Sequence, residues 1–289
     1  MPYEFRYLSK KDLVDVYPAF VEAYSDYAVD MTYNTETGFT NRAIKNGVEF
    51  STSVGVYNYN RMIGFTLVGR DKWNGVECAF DAMTGIIKTY RSQGIAGKMF
   101  DYVLPKLGKA GVKEFWLEVL QSNMAAMKAY TRTGFTIVRE LDSFKWKWPN
   151  VLKDRHTSEE YEVRTIVKSE LPFYASILDW QPSWENSFAS IGRIPDEVLL
   201  LEARERSEGV GVLVYYPTLN WIMCIAVNQQ YRRRGIASQL LCNLRKQIGE
   251  CVSKVRLVST DHTDIGMLQF LQKAGFERYT QQYEMKMVL

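Results

Sequence analysis

The sequence predicts an α/β fold built twice in tandem. Three observations carry this reading. An apolar, strand-like run passes straight into Tyr90-Arg91-Ser92-Gln93-Gly94-Ile95-Ala96-Gly97-Lys98, a loop of basic and small residues that opens an amphipathic helical pattern. The same junction returns as Tyr231-Arg232-Arg233-Arg234-Gly235-Ile236-Ala237-Ser238, with Arg91 and Arg232 separated by 232 − 91 = 141 positions. Gly134-Phe135 and Gly275-Phe276, much further along, keep the same separation of 141. One such loop is an ordinary strand-to-helix turn; two distant motifs holding one offset mark a duplication of domain size. Strands and helices alternating around each loop give the α/β class.

Composition sets the outer bounds. A chain of 289 residues accommodates two ordinary domains, and the repeat divides it at about residue 150, into 1–150 and 151–289. Hydrophobic residues make up 46% and charged residues 24%, which is globular rather than disordered. A net charge of +3 does not point to nucleic acid. The cysteines Cys78, Cys224, Cys242 and Cys251 form no CxxC, and the histidines are only His156 and His262, so neither a disulfide framework nor a metal site is expected. The first residues lack the apolar stretch of a signal peptide, and no run approaches 18 apolar residues. The expectation is a cytoplasmic protein without a membrane partner.

The elements follow in order. Residues 3–8 read as a strand. Asp12 is placed to cap a helix carrying Leu13, Val16, Tyr17, Phe20 and Tyr24 on one face. A second helix is expected within residues 30–46. Strands at 53–57 and 62–68 flank the turn Asn58-Tyr59-Asn60, and residues 71–74 read as a further turn. Residues 76–87 form the strand that feeds the first loop. The helix after it shows Ile95, Met99, Tyr102, Val103 and Leu107 at helical spacing, with Pro105 expected to kink it. A strand at 114–120, a helix capped by Ser122 or Asn123 and stopped at Gly134, and a strand from Phe135 complete the first copy. The polar stretch 148–159 is read as the linker. The second copy repeats the plan: a strand at 161–167, a helix start at Pro172, a hairpin of 198–203 with 210–216, a strand at 221–227, and the second loop. Its helix then carries Ile236, Leu240, Leu241, Leu244 and Ile248, followed by a strand at 254–259, a helix at 264–274 and a strand at 282–288.

Physically, the two loops are anion sites. The first turn of a helix has unpartnered N–H groups, and the helix dipole favours negative charge there. Gly94 and Ala96, or Gly235 and Ala237, let a phosphate approach the backbone. Neither loop has the Gly-x-x-x-x-Gly-Lys-Ser/Thr or Gly-x-Gly-x-x-Gly pattern of other nucleotide sites.

At this point the chain resembles a tandem member of the GNAT superfamily of N-acetyltransferases over nearly its whole length. Arg91-Ser92-Gln93-Gly94-Ile95-Ala96 and Arg232-Arg233-Arg234-Gly235-Ile236-Ala237 both match the family's Gln/Arg-x-x-Gly-x-Gly/Ala signature, and Asn123-x-x-Ala126-x-x-x-Tyr130-x-x-x-Gly134-Phe135 resembles its next helix. The resemblance implies two acyl-CoA N-acyltransferase folds, each a central, mostly antiparallel mixed sheet flanked by helices. It implies acetyl-CoA as cofactor and, as partner, a primary amine of a small molecule or peptide that attacks the thioester directly. Backbone groups of Ser92, Gln93, Gly94, Ile95, Ala96 and Gly97 would hold the pyrophosphate, with Arg91 nearby. The backbone of Ile86 and Lys88 and the side chain of Asn123 would meet the pantetheine arm. In the second copy the corresponding candidates are Val227 and the run Arg232, Arg233, Arg234, Gly235, Ile236, Ala237 and Ser238.

Tyr130 matches the residue that often protonates the departing thiolate; the alternative is a core aromatic. Asp81, a carboxylate inside the strand before the loop, is costly to bury unpaired and is a candidate general base; the alternative is a substrate-binding or structural role. Glu118 is a poorer candidate of the same kind. At the offset of 141, Asn123 corresponds to Asp264 and Tyr130 to Leu271, so the second copy has no proton donor there. Tyr24, Tyr27, Tyr33 and Phe39 are expected to line the first cleft, and Trp180 and Trp184 the second. Asp26, Asp30 and Glu36 either attract a cationic acceptor or are solvated. The rival function is a CoA-binding regulatory module without turnover.

Overall fold

The computed structural model describes residues 3–29, 35–73, 75–147, 161–249, 252 and 254–289. The linker read at 148–159 lies outside these residues, as do Asp30, Tyr33, His156 and Cys251. In chain order the first copy builds β1 (Glu4–Tyr7), α1 (Leu13–Ala23), α2 (Glu36–Lys45), β2 (Val54–Asn58), β3 (Arg61–Trp73), β4 (Val76–Ile86), α3 (Ile95–Lys109), β5 (Glu114–Leu120), α4 (Met124–Thr133) and β6 (Thr136–Lys147). The second builds β7 (Glu162–Thr165), α5 (Phe188–Arg193), β8 (Leu199–Glu205), β9 (Glu208–Tyr216), β10 (Trp221–Val227), α6 (Ile236–Ile248), β11 (Lys254–Asp261), α7 (Ile265–Lys273) and β12 (Phe276–Val288). Among the described residues no helix is long and apolar enough to cross a membrane.

Several local expectations are corrected. Asp12 makes no side-chain cap to α1; its carboxylate instead accepts from the N–H and hydroxyl of Ser9, at 2.7 Å each, across a short 3-10 turn. Residues 71–73 are not a turn. They extend β3, because Asp71, Lys72 and Trp73 pair with Cys78, Glu77 and Val76 of β4. α3 continues through Pro105 to Lys109. Its buried face of Ile95, Met99, Phe100, Val103 and Leu107 holds it against the sheet, each side chain worth about 1.5–3 kcal/mol over exposure. The region around Pro172 forms 3-10 turns, with Pro172 inside them rather than at an α-helical start.

Two compact units emerge, and they are not two consecutive halves of the chain. One comprises residues 1–139 and 282–289, the other residues 140–281. In the first unit β1, β2, β3 and β4 pair antiparallel in succession, β4 and β5 pair parallel, and the end of β12 pairs antiparallel with β5 from Gln282↔Leu120 to Val288↔Glu114. The second unit repeats this: β7, β8, β9 and β10 antiparallel, β10 and β11 parallel, and β6 antiparallel to β11 from Asp261↔Leu141 to Lys254↔Lys147. Each copy therefore gives its last strand to the other. The expected mixed, mostly antiparallel sheet with flanking helices is present in each unit, and its last strand comes from the other copy: β12 in the first unit and β6 in the second.

Each unit has its own core. In the first, Phe100, Phe115, Phe135 and Tyr130 pack with Met285 and Met287 from the incoming β12. In the second, Trp146 of β6 stacks on Phe276 with centroids 4.9 Å apart and donates its indole N–H to the Ala274 carbonyl at 2.9 Å. The incoming end of β12 is also fixed by charge. The Glu284 carboxylate is buried and accepts from Arg139 Nε at 2.7 Å and from its terminal nitrogen at 3.1 Å. Removing one partner of a buried, two-pronged pair leaves the other charge desolvated, whereas replacing both with carbon does not. Glu284→Ala is therefore expected to destabilise the first unit by about 3 kcal/mol in chemical denaturation, and Glu284→Leu combined with Arg139→Met to recover most of that loss.

Candidate functional site

The site of the first unit starts from a defect in β4. Opposite β3, Leu67 pairs with Met83 but Val68 pairs with Asp81, so Ala82 is an extra residue on one strand. Such a bulge rephases the side chains beyond it. Asp81 and Thr84, three apart and so expected on opposite faces of a regular strand, come to the same place. The parallel pairing of β4 with β5 also stops there, its last partners being Asp81↔Leu117. Beyond that point the two strands part, and the loop and α3 follow.

Asp81 lies at this fork, 6% exposed. Tyr130 Oη, from α4, donates to Asp81 Oδ2 at 3.1 Å. Thr84 Oγ1 is 2.7 Å from Asp81 Oδ1 and 2.9 Å from Oδ2, and it lies 2.7 Å from Thr66 Oγ1. Tyr24, just past the end of α1, donates to the Thr84 carbonyl at 2.9 Å. Burial pushes the Asp81 carboxyl up to about 6, against the opposing pull of the hydrogen bonds from Thr84, Tyr130 and Thr66. Burial, together with the negative charge of Asp81, holds the Tyr130 phenol well above its ordinary range, so it keeps its proton. The two catalytic candidates of the sequence thus meet in one hydrogen bond. Thr84 and Thr66 were not anticipated, because only the bulge brings them into reach.

The loops are strained in the same way in both units. Ser92 has φ +64° and Gly94 φ +75°; Arg233 has φ +65° and Gly235 φ +85°. Left-handed residues alternating with ordinary ones turn successive N–H groups to one side, a concavity suited to an anion. Non-glycine residues held at positive φ are uncommon and carry a local strain that the surrounding structure must offset. No side chain caps the start of α3 or α6. By contrast, Asn123 accepts from the Ala126 N–H at 3.1 Å and Asp264 from the Met267 N–H at 2.9 Å, capping α4 and α7. A side chain added at Gly94 or Gly97 meets nothing within 4 Å, so the space beside these two residues is open.

The loop arginines are clasps. Arg91 Nε donates to the Ile86 carbonyl at 3.0 Å, and its terminal nitrogens donate to Asp26 at 3.0 and 2.8 Å and to the Ala23 carbonyl at 2.7 Å. Arg232 Nε likewise donates to the Val227 carbonyl at 2.9 Å, and Arg232 pairs with Asp179 at 2.7 Å. The hydrogen bond from Arg91 holds the Asp26 carboxyl down at about 2. Lys88 lies 3.4 Å from the same carboxylate, so Asp26 is engaged by the loop. Of the aromatic wall read from the sequence, Tyr24 and Tyr27 stay half-buried with ring centroids 4.9 Å apart, while Phe39 is fully buried in the core with Phe20. Glu118 of β5 accepts from Gln282 at 3.4 Å.

In the second unit a cavity of about 590 Å³ adjoins the loop, lined there by Arg233, Gly235, Ile236, Ala237 and Ser238. β10 bulges as β4 does, its register shifting between Ile222 and Cys224, and its pairing with β11 ends at Ile222↔Leu257. Trp180 lines the cavity and donates to Asp264 Oδ2 at 3.0 Å; Trp184 is buried beside it in sequence but belongs to the interior.

The model of the Acetyltransferase (GNAT) family matches residues 13–135 and again residues 161–276. N-alpha-acetyltransferase 30 of Schizosaccharomyces pombe is 36% identical over 83 residues, 28% of this chain and 55% of that protein. N-alpha-acetyltransferase MAK3 of Arabidopsis thaliana is 30% identical over 96 residues, covering 28% and 50%. The chain spans about half the length of the curated relatives it matches. A solved tandem GNAT protein from the clavulanic acid biosynthesis pathway superposes with a TM-score of 0.73 at 12% identity, over 99% of this chain and 98% of that one. A GCN5-related N-acetyltransferase from Sphaerobacter thermophilus superposes with a TM-score of 0.71 at 14% identity, over 99% and 95%. At such identities the superpositions speak for the fold.

The Asp81 environment predicts a pH signature. The folded chain holds the Asp81 proton more tightly than the unfolded chain, whose value is 3.8. The stability this contributes is complete below about pH 4 and is lost as the pH rises through about 6, on the order of 2–3 kcal/mol in all. Urea midpoints of wild type and Asp81→Asn, compared from pH 4 to 7, are expected to show the wild type losing ground by this amount while the variant stays level.

Proposed function

Because the chain belongs to the Acetyltransferase (GNAT) family in both of its copies, we propose that it is an acetyl-CoA-dependent N-acetyltransferase whose first copy, residues 1–150, performs the chemistry. The observation that carries this is the hydrogen bond between Tyr130 and Asp81 at the fork of β4 and β5, beside an uncapped helix start. The residues fit the cofactor. The N–H groups at 92–97 have the strained, open geometry that a pyrophosphate needs, and the parted strands leave backbone at Ile86 and Lys88 for the pantetheine arm, with Asn123 at the start of the next helix. Arg91 acts by fixing the loop to α1 rather than by binding charge itself. Val227, Arg232, Arg233, Arg234, Gly235, Ile236, Ala237 and Ser238 take the corresponding places in residues 151–289.

When bound, acetyl-CoA supplies an activated acetyl group that a neutral amine attacks directly. Asp81, with its raised basicity, takes a proton from the amine side. Tyr130 holds at its Oη the proton that the leaving thiol requires. The 3.1 Å bond between them returns the proton from Asp81 to Tyr130, so the pair is restored with no net gain or loss. The acceptor is a primary amine of a small molecule or peptide. The names of the two sequence relatives, both N-alpha-acetyltransferases, support a peptide amino terminus. Tyr24 and Tyr27 border its approach. The second copy has Ile222, Ile225 and Leu271 where the first has Asp81, Thr84 and Tyr130, which favours binding without turnover in that copy.

Three measurements check this reading in an acetyl-CoA-dependent assay with mass detection of the acetylated amine. Gly97→Glu puts a carboxylate at the anion cradle in a position that suits a helix start; it is expected to abolish transfer while leaving the unfolding midpoint within about 0.5 kcal/mol of wild type. Tyr130→Phe is expected to lower kcat about 10²-fold with little change in KM for acetyl-CoA. The wild-type rate is expected to fall as the pH drops below about 6, when Asp81 is protonated, and this limb is expected to be absent from the residual rate of Asp81→Asn. Full activity in Tyr130→Phe and Asp81→Asn would overturn the assignment of the first copy.

A further inference from the structure

The cavity of the second unit is more than an anion cradle. It passes between the parted ends of β10 and β11, with Met223 and Ile225 on one side and Val258 on the other, and its wall continues to Leu178, Pro182 and Asn186. Its lining there is mainly apolar side chains, with the amide of Asn186 among them. Asn186 is 3% exposed and donates through Nδ2 to the Val258 carbonyl at 2.8 Å, but its Oδ1 has no hydrogen-bond partner. A buried acceptor left unmade costs about 1–3 kcal/mol, so this one calls for a donor from a ligand in the cavity.

We propose that the second unit binds and retains a CoA thioester whose acyl chain is longer than acetyl. This rests on the reading of the loops as CoA sites and assigns the second one its own ligand. The loop at 233–238 accounts for the pyrophosphate. The unpartnered Asn186 Oδ1 accounts for a pantetheine arm, which carries two amide N–H groups; a fatty acid or other plain apolar ligand has none to offer. The walls of Ile177, Leu178, Pro182, Met223 and Ile225 favour methylenes over water. In the first unit the corresponding region is occupied by the hydrogen-bonded polar group of Asp81, Thr84, Thr66 and Tyr130, which gives a long alkyl chain no such reception. With Ile222, Ile225 and Leu271 in the second unit, no side chain at those positions takes or gives a proton, so the thioester is kept intact.

Calorimetry on the full-length chain tests this, with CoA, acetyl-CoA, butyryl-CoA, hexanoyl-CoA and octanoyl-CoA as probes. Wild type is expected to bind two equivalents of hexanoyl-CoA at saturation, and Gly97→Glu one. In Gly97→Glu the affinity is expected to rise about fourfold per added methylene until the cavity is full, the ratio that burying one CH2 gives. Ser238→Glu, which places a carboxylate at the start of α6 where it suits the helix, is expected to remove this long-chain site. Asn186→Leu is expected to weaken it roughly tenfold. Mass spectrometry of the recovered ligand is expected to show the thioester unhydrolysed. An affinity that is flat across chain lengths, an unchanged long-chain site in Ser238→Glu, or cleavage of the thioester by Gly97→Glu would each overturn the proposal. Acetyl transfer by wild type with a single binding equivalent overturns this proposal alone; no binding of any CoA species by wild type overturns the reading of both loops with it.

Discussion

The fork between two parallel strands is the constraint on which the rest of the molecule depends. A parallel pair normally keeps its hydrogen bonds along its length. Here β4 and β5 stay together only from Cys78↔Glu114 to Asp81↔Leu117, and β10 and β11 only over Trp221↔Arg256 and Ile222↔Leu257. The extra residue in β4 or β10, Ala82 or Met223, bulges against the antiparallel neighbour on the other side just where each parallel pair parts. At that point lie an opening lined by backbone, a carboxylate held at its root in the first unit, and a cavity in the second. The strained loop and bare helix start lie just beyond it. The fork, the strained loop and the bare helix start are each poor for stability taken alone, and each occurs twice.

Stability is supplied away from the fork. Arg91 and Arg232 tie the strained loops to the carbonyl that ends the preceding strand and to an acid, Asp26 or Asp179, outside the loop. The buried faces of α3 and α6 hold the helix starts in place without a cap. The same scaffold is then lined in opposite ways. In the first unit hydroxyls and a carboxylate satisfy one another around Asp81, which keeps a basic group in a site that is nearly dry. In the second unit carbon replaces them, and the unmet hydrogen bond moves to Asn186.

Much of this was readable from residue order. The constant offset of 141 located the duplication, the alternation of apolar runs placed β4, β5 and β10 almost to the residue, and Gly94 and Gly235 sit at the left-handed positions that their type allows. Asp81 and Tyr130 stood out as a carboxylate in a strand and a tyrosine in a motif, and they do touch. What escaped depended on contacts made across the chain. A bulge has no signature in a run such as Asp81-Ala82-Met83-Thr84, so Thr84 and Thr66 could not be joined to Asp81. Positive φ at Ser92 and Arg233 is imposed by the loop and not by the residue type. Arg91 reads as an anion binder in sequence but spends its donors on Asp26, Ala23 and Ile86. Strand pairing was the other gap: residues 282–288 were seen as a strand, but nothing in their pattern says that β5 is the neighbour.

That choice of neighbour has a bearing on ancestry. A gene made by duplication is usually divisible again at the seam. Here a break near residue 150 would leave each fragment with a strand that belongs to the other and a bare sheet edge where its missing strand should lie. Once the last strands had changed places, neither copy remained a portable module. The second copy cannot be cut away without cost, because the first unit needs residues 282–289 to be whole.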